Sequence, residues 1–138
     1  MRTAIDTAIL VDLFKADETF GEGSRRLVDE HYRLGSLSIT EVVYAELAPL
    51  FDERAGLDDA LRTLGVQAQA VGMEAAWLAG DRWRLYRRRG GPRNRIISDF
   101  LIGAHALRST DVLLTRDVSF YRTNYAELAL NDGLSTNG

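Results

Sequence analysis

The sequence lacks cysteine and contains only one lysine, Lys15, and two histidines, His31 and His105. The lack of cysteine excludes disulfides, thiolate zinc sites and cysteine nucleophiles, and it is compatible with a reducing cytoplasm, where we expect the protein to reside. The single lysine argues against a phosphate-accepting receiver domain, which needs a lysine after its last strand. His31 has no second histidine or cysteine at ligand spacing, so we expect it on the surface.

Long hydrophobic runs are also absent. The apolar stretch in residues 1–14 is interrupted by Asp6 and Asp12 and shows no small-residue cleavage site. We therefore expect a first strand and helix there, and neither a signal peptide nor a membrane segment. With 138 residues and 46% hydrophobic content, the chain is expected to form a single domain over residues 1–130, followed by a frayed tail over residues 131–138.

Short apolar runs alternate along the chain with segments of helical spacing. We expect strands at residues 3–5, 37–39, 112–114 and 126–130, and helices at residues 24–34, 40–50, 57–64 and 73–89, with Pro49 kinking or ending the second helix. Residues 66–71 fit either a short strand or an extended connection. The alternation predicts an α/β fold with three layers (α/β/α), in which helices flank a central parallel sheet.

Two predicted helices carry aromatic residues. In the helix at residues 24–34 we expect Leu27, Val28 and Tyr32 to face inward. The helix at residues 73–89 is expected to carry the following residues along one side: Ala76, Trp77, Gly80, Trp83 and Tyr86. This spacing favours packing in the core and at its rim, and it leaves open a role for the aromatic rings in stacking on nucleobases.

Three aspartates stand where strands and helices meet. Asp6 directly follows the first strand, Asp117 lies just past the strand at residues 112–114, and Asp99 occupies the first turn of a helix that includes the apolar run 100–107. Taken singly, Asp6 and Asp99 are explained by helix capping and the helix dipole. Ligands of open α/β sheets, however, bind outside the carboxyl ends of the strands, so these acids can share a site.

Glu46 is a fourth acidic candidate. Its position in the helix at residues 40–50 has the spacing of core-facing residues, and a buried glutamate needs a partner or a bound ion. Four carboxylates in one pocket raise one another's pKa unless a cation compensates them. A site of oxygen ligands without histidine or cysteine favours Mg²⁺ or Mn²⁺, as one ion or two.

Positive charge is concentrated next to these acids. Residues 82–98 contain seven arginines and no acidic residue, and we predict a flexible basic loop at residues 87–95. Arginine suits phosphate recognition, so we expect RNA phosphates to be bound by Arg87, Arg88, Arg89, Arg93 and Arg95. An acidic segment of a partner protein could use the same patch. Carboxylates, a divalent cation and phosphate-binding arginines together indicate phosphodiester hydrolysis.

Four short motifs occur in order along nearly the whole chain: Asp6-Thr7, Ala45-Glu46-Leu47, Ser98 to Ala106 and Leu114-Thr115-Arg116-Asp117. Each motif is weak alone, but together they resemble the motifs of PIN-domain ribonucleases, in particular toxins of the VapC type. The resemblance implies a Mg²⁺- or Mn²⁺-dependent endoribonuclease of a type II toxin–antitoxin pair, homodimeric and inhibited by a small antitoxin that inserts a segment near the active site.

The same resemblance implies the roles of individual residues. Asp6, Glu46, Asp99 and Asp117 are the implied catalytic residues and metal ligands, and Thr7 and Thr115 are implied to be supporting hydroxyls. His105 follows Asp99 along the buried helix, and we interpret it as a packing histidine with a hydrogen-bond partner, not as a general base. The alternative function is a non-catalytic PIN-like module that binds RNA or protein without cutting.

Overall fold

The computed structural model describes residues 1–92 and 95–134. The described residues form five strands: β1 (Arg2–Ile5), β2 (Ser36–Thr40), β3 (Val66–Gln69), β4 (Val112–Leu114) and β5 (Leu130–Asn131). The strands make one sheet in the order β3-β2-β1-β4-β5, and every neighbouring pair is parallel. In the centre of the sheet Ile5 of β1 lies opposite Leu114 of β4.

The described residues also form seven helices, together with a short 3₁₀ turn at Ala48–Leu50: α1 (Thr7–Phe14), α2 (Gly21–Leu34), α3 (Glu41–Leu47), α4 (Arg54–Leu64), α5 (Met73–Arg88), α6 (Ile97–Ser109) and α7 (Val118–Asn124). None of these helices is long and apolar enough to span a membrane. The helices α1 and α4 contact α2, and α5 and α7 contact α6. By the general rule that crossovers between parallel strands are right-handed, the first group lies on one face of the sheet and the second on the other. The predicted three-layer α/β/α fold is confirmed.

The centre of the sheet determines where the site lies. β1 and β4 are neighbours there, and the chain leaves β1 toward β2 and leaves β4 toward β5, in opposite directions across the sheet. The backbone N–H of Asp6 donates to the carbonyl oxygen of Leu114 at 2.9 Å, which joins the carboxyl ends of the two strands. Such a reversal opens a crevice at the strand ends. The helix α6 leads into β4 from the opposite direction, so its N-terminus lies at this edge.

An aromatic cluster supports the N-terminus of α6. Phe100 contacts the ring of Phe120 edge to face, with 5.1 Å between the ring centroids. The hydroxyl of Tyr125 donates to the carbonyl oxygen of Phe100 at 2.6 Å. Gly103 permits this packing, because a Cβ atom there would lie 2.4 Å from the ring of Tyr125. These contacts fix the first turn of α6, where Asp99 lies.

Most predicted elements are present, with shifted ends. The helix predicted from residue 24 begins at Gly21, and the last strand lies at Leu130–Asn131, not at residues 126–130. Residues 66–69 form a strand, which resolves the open alternative. The helix α3 ends at Leu47, just before Pro49, as proline predicts. Residues 135–138 of the predicted tail lie outside the described residues.

The inward faces of two helices were predicted correctly only in part: Leu27, Val28 and Tyr86 are buried as predicted. Tyr32 on α2 is 59% exposed. On α5 the buried positions are Ala75, Ala79 and Tyr86, whereas Trp77 is 76% exposed. The reason is that α5 packs against α6, where the small side chains of Ala75 and Ala79 let the two helices approach closely. Trp77 lies two residues from each alanine, on the other side of the helix, and therefore points outward.

The surface location predicted for His31 is also wrong. His31 is buried, with Nδ1 3.1 Å from Oγ1 of Thr3 and Nε2 3.1 Å from Nδ2 of Asn131. It follows Leu27 by one helical turn, on the face of α2 that covers the sheet, and burial lowers its pKa. His105 is confirmed as a packing histidine, since it is buried and Nε2 lies 3.1 Å from Oε1 of Gln69.

Candidate functional site

Asp6 lies at the centre of the carboxyl edge of the sheet, between β1 and α1. Its Oδ1 accepts the backbone N–H of Thr7 at 2.9 Å, so Asp6 caps α1. Its Oδ2 accepts the hydroxyl of Thr115 at 2.7 Å. Both carboxylate oxygens are therefore held in place, and the capping role and a position in the site coexist in one side chain.

Thr115 connects Asp6 to Asp117. It is completely buried at the end of β4, and its Oγ1 accepts the backbone N–H of Asp117 at 3.0 Å while its hydroxyl proton goes to Asp6. The turn after β4 thus places the carboxylate of Asp117 on the same side as that of Asp6. Oδ2 of Asp117 in turn accepts a hydrogen bond from Nη1 of Arg95 at 2.6 Å.

Asp99 is the third residue of α6, at the helix end that faces the same crevice. Its Oδ2 accepts the backbone N–H of Ile96 at 3.3 Å, which satisfies one of the free N–H groups of the first turn. The side chain is partly buried. A carboxylate is favoured at this position by the helix dipole, so α6 holds the negative charge in the site at low cost.

Glu46 is near these aspartates, but not for the reason that its sequence position suggested. The expectation that it faces the core is wrong, because Val43 and Leu47 take the buried positions of α3 and Glu46 is exposed. Its partner is Thr7, whose hydroxyl donates to Oε1 at 2.7 Å. Thr7 therefore contacts both Asp6, through its backbone N–H, and Glu46, through its hydroxyl.

The electrostatics show that the three aspartates share one environment. Burial, together with the charges of Asp117 and Asp99, raises the pKa of Asp6 to about 6, against the lowering effect of its bonds to Thr115 and Thr7. Burial also raises the pKa of Asp99, partly offset by its bond to Ile96. The crevice therefore holds more negative charge than its own hydrogen bonds compensate.

The donor atoms of this site suit a hard divalent cation. All four acidic side chains offer oxygen, the ligand that Mg²⁺ and Mn²⁺ prefer. The pKa values of Asp6 and Asp99 are raised mainly by burial, and the charge of Asp117 raises both further. Within residues 1–92 and 95–134, no three acidic or histidine side chains already have the spacing of a formed metal site. Glu46 and Asp117 are instead hydrogen-bonded to Thr7 and Arg95.

The predicted flexible loop at residues 87–95 is partly helical. Arg87 and Arg88 belong to the last turn of α5, and Arg89 caps that helix. The guanidinium of Arg87 lies over the ring of Trp83, 4.7 Å from its centroid, and Nη2 of Arg89 donates to Oδ1 of Asn124 at 2.7 Å. All three arginines are exposed at one end of α5.

The two remaining arginines of the prediction lie beyond α5. Arg93 lies outside the described residues. Arg95 is largely covered, because its guanidinium lies 4.5 Å from the ring centroid of Phe120 as well as on Asp117. Arg95 therefore supplies a positive charge inside the carboxylate site, while the end of α5 supplies the exposed positive charge beside it.

The sequence interpretation missed an ion pair that fixes the turn after β4. Nε and Nη2 of Arg116 donate to the two carboxylate oxygens of Asp12 at 2.8 and 2.9 Å. Asp12 is buried in α1 and also accepts the hydroxyl of Ser24 at 3.1 Å. The signal was present in the sequence, since an acidic residue in the apolar face of α1 requires a partner. The pair anchors the backbone between Thr115 and Asp117.

Comparison with solved structures finds similar folds. VapBC-1 from nontypeable Haemophilus influenzae matches with a TM-score of 0.74 and 21% identity, over 98% of this chain and 100% of that chain. VapBC2 from Rickettsia felis, bound to a DNA fragment from its promoter, matches with 0.73 and 15%, over 95% and 98%. A toxin–antitoxin complex from Klebsiella pneumoniae matches with 0.68 and 14%, over 97% and 99%.

Sequence comparison gives the family. No curated protein matches the chain. The family model described as the PIN domain matches residues 3–125, a range that contains all four candidate acids and the whole sheet except Arg2 and β5. The chain therefore belongs to the PIN domain family.

Proposed function

We propose that this protein is a metal-dependent endoribonuclease that hydrolyses phosphodiester bonds in RNA and acts as the toxin of a type II toxin–antitoxin pair. PIN domains are generally nucleases. The observation that carries the proposal is the arrangement of Asp6, Asp99 and Asp117 at the carboxyl edge of the central strands, where burial and mutual repulsion raise the pKa of Asp6 to about 6.

In this proposal Asp6, Glu46, Asp99 and Asp117 hold one or two Mg²⁺ or Mn²⁺ ions. A bound divalent cation supplies Lewis-acid activation of water and stabilises the negative charge that develops on the phosphate. The contribution of the chain is to orient the ligands. Thr115 fixes Oδ2 of Asp6 at 2.7 Å and Thr7 fixes Oε1 of Glu46 at 2.7 Å, so little reorganisation is needed when the substrate binds.

The arginines bind the polyanionic substrate in this proposal. Arg87, Arg88 and Arg89 are exposed at the end of α5 and contact phosphates that flank the cleaved bond, with Arg93 as a further predicted contact. Arg95 lies within the site on Asp117. Its guanidinium stabilises the charge of the bound phosphate from the side of the site that α7 covers.

The VapBC relatives support the part of the proposal that concerns partners. The similar structure from Klebsiella pneumoniae is a toxin–antitoxin complex, and we propose that a VapB-like antitoxin binds this chain. We also propose a homodimer and a cytoplasmic location. Light scattering on the purified chain tests the homodimer, since a dimer has twice the mass of the 15.4 kDa chain.

RNA cleavage by the purified protein tests the proposed activity. Total structured RNA is incubated with the wild type in EDTA, in Mg²⁺ and in Mn²⁺, and in parallel with the Asp6→Asn and Asp99→Asn variants, which keep the size and capping ability of the side chains. Cleavage is expected only with metal. Each variant should reduce the rate by more than about 100-fold, because a lost ligand removes charge stabilisation that acts in the transition state.

A matched control is Asp111→Asn. Asp111 pairs with Arg2 at the opposite edge of the sheet, so its loss should leave cleavage unchanged. Cleavage that persists in EDTA, or at the wild-type rate in Asp99→Asn, contradicts the proposal. A folded wild type that binds RNA but cuts none of it with either metal indicates the non-catalytic binding module instead.

A further inference from the structure

A cleft lies between the last two turns of α5 and the described residues that follow this helix, 90–92, 95 and 96. Its volume is about 670 Å³, within the range of clefts that hold small ligands. One wall is formed by the rings of Trp83 and Tyr86, and another by Arg95 and Ile96. We call this space the α5 cleft. It contains no residue that the four sequence motifs single out.

The α5 cleft is continuous with the carboxylate site. Arg95, in its wall, donates to Oδ2 of Asp117 at 2.6 Å. The neighbouring wall residue Ile96 donates its backbone N–H to Oδ2 of Asp99 at 3.3 Å. Two adjacent residues therefore face the cleft and contact the candidate acids at the same time.

The surface inside the cleft suits a flat ring. Trp83 is partly exposed, and the guanidinium of Arg87 lies 4.7 Å from its ring centroid. Aromatic rings and guanidinium planes are the surfaces on which proteins stack unpaired RNA bases. Ile96 is 58% exposed at the rim, and it adds apolar area opposite the indole.

The floor of the cleft is fixed without a ligand. Gly91 lies directly on the ring of Tyr86, where a Cβ atom would come within 2.5 Å of the ring. The hydroxyl of Tyr86 donates to the carbonyl oxygen of Pro92 at 2.5 Å. The backbone after α5 is thus held against Tyr86, and the partly exposed indole of Trp83, with the guanidinium of Arg87 over its ring, lines the cleft beside it. A preformed surface of this kind binds at a lower entropic cost.

We propose that the α5 cleft binds an unpaired nucleobase of the RNA substrate, next to the phosphate at the carboxylate site, with Trp83 as its stacking surface. The proposal deepens the proposed function and rests on it for the position of the cut. Residues 82–98 contain seven arginines and no acid, which matches a polyanion. The flat indole and the continuity with the acids favour RNA over an acidic protein segment, because an RNA that is cut must pass this point.

The two tryptophans of the chain, Trp77 and Trp83, give the experiment a built-in control. Both lie on α5, but Trp77 is exposed on a different side of the helix and does not line the α5 cleft. In an Asp99→Asn background, which prevents cleavage, Trp77→Phe leaves Trp83 as the single fluorophore and Trp83→Phe leaves Trp77. Each protein is titrated with an eight-nucleotide oligouridylate and with an abasic ribose-phosphate strand of equal length.

We expect the oligouridylate to quench the fluorescence of Trp83 saturably and to leave the fluorescence of Trp77 unchanged. The abasic strand should bind about 5- to 100-fold more weakly, the range that stacking of one base on an aromatic ring supports. Trp83→Leu should weaken oligouridylate binding to a similar extent, whereas Trp83→Phe retains most of it and Trp77→Leu leaves it unchanged. Circular dichroism confirms that the variants are folded, and the quenching measurement needs no disruptive substitution.

Equal binding and equal quenching by the abasic strand would overturn the proposal, because the cleft then contacts phosphates only. Quenching of the fluorescence of Trp77 instead of Trp83 would overturn it as well. So would an unchanged fluorescence of Trp83 in a protein that binds the oligonucleotide. Failure of the proposed function gives a different result. If the wild type cuts no RNA while the fluorescence of Trp83 is quenched, the proposed nuclease activity is contradicted and the proposed base site is supported. RNA cleavage by the wild type without any change in the fluorescence of Trp83 contradicts only the proposed base site.

Discussion

At the residue scale, two threonines organise the candidate site. Thr7 donates its backbone N–H to Asp6 and its hydroxyl to Glu46. Thr115 donates its hydroxyl to Asp6 and accepts the backbone N–H of Asp117. Each threonine therefore ties together two acids that are distant in sequence. A hydroxyl is suited to this task because it can donate one hydrogen bond and accept another without adding charge.

Thr115→Val tests this organising role. Valine keeps the shape of threonine, but it leaves Oδ2 of Asp6 and the backbone N–H of Asp117 without their partner in a buried position. We expect a loss of about 10- to 100-fold in RNA cleavage, as for other groups that orient metal ligands, and a loss of about 1–3 kcal/mol in the free energy of unfolding. Cleavage rates and denaturant titrations measure the two effects.

Thr110→Val is the matched control for this substitution. Thr110 is also buried, and its hydroxyl donates to the carbonyl oxygen of Ala106 at the other end of α6. Its loss should reduce stability by a similar amount and leave the cleavage rate per folded molecule unchanged. Equal effects of the two variants on cleavage would show that Thr115 acts only through stability.

The residues of the site were predictable to different degrees. The positions of Asp6, Asp99 and Asp117 could be predicted because strand ends and first helical turns are recognisable from local sequence. In a parallel sheet, residues at these places lie at the carboxyl edge. Glu46 was selected for a burial that it does not have. Its real partner, Thr7, is 39 residues away, and spacing along one helix carries no information on such a contact.

At the element scale, the turn between β4 and α7 depends on an ion pair with α1. Arg116 contacts both carboxylate oxygens of Asp12, and its guanidinium lies 4.1 Å from the ring centroid of Phe20. The geometry is bidentate and Asp12 is buried, so the pair differs from the exposed ion pairs of the surface. Because Arg116 lies between Thr115 and Asp117, the position of Asp117 depends on α1.

Asp12→Ala should destabilise the fold by about 1–3 kcal/mol, because it removes the bidentate partner of Arg116 and leaves the buried hydroxyl of Ser24 without its acceptor. In a double-mutant cycle with Arg116→Gln, the coupling energy should be at least about 1 kcal/mol. The control is Asp59→Ala, which breaks the exposed pair with Arg62 at 2.6 Å and should change stability by less than about 0.5 kcal/mol. Additive effects of the Asp12 and Arg116 variants would contradict the coupling.

Sequence patterns predicted the elements better than their faces. The strands β1, β2 and β4 and the buried helix α6 follow from short apolar runs, and Pro49 correctly ended α3. On the inner face of α5 Tyr86 was predicted correctly and Trp77 wrongly, because α5 packs on α6 through Ala75 and Ala79. The hydrophobic pattern indicates that a helix has a buried face, but the distance to the neighbouring helix decides which side chains fit there.

At the scale of the whole molecule, Asp6 and His31 change the free energy of unfolding in opposite directions as the pH falls. Burial raises the pKa of Asp6 to about 6 and lowers the pKa of His31. Because the pKa of Asp6 is higher in the folded chain than in the unfolded chain, the folded chain binds a proton there more readily. Through Asp6, a lower pH therefore increases the free energy of unfolding. For His31 the sign is reversed, because the unfolded chain binds the proton more readily than the folded one.

The histidine contribution can be isolated with His31→Gln. In the folded chain His31 connects β1 to β5 through Thr3 and Asn131, and the nearby charge of Glu30 raises its pKa less than burial lowers it. Below about pH 6.5, the usual pKa of histidine, the unfolded wild type takes up a proton that the folded state resists. The stability advantage of the wild type over His31→Gln should therefore shrink as the pH falls from 8 to 5.

Denaturant titrations of both proteins at several pH values between 8 and 5 measure this difference directly, since Asp6 and the other ionisable groups are common to both and cancel. The m-value should stay constant, so that the change lies in stability and not in the compactness of the unfolded chain. If the two stability curves run parallel across this range, His31 binds its proton equally in both states, and its burial between β1 and β5 has no consequence for pH dependence.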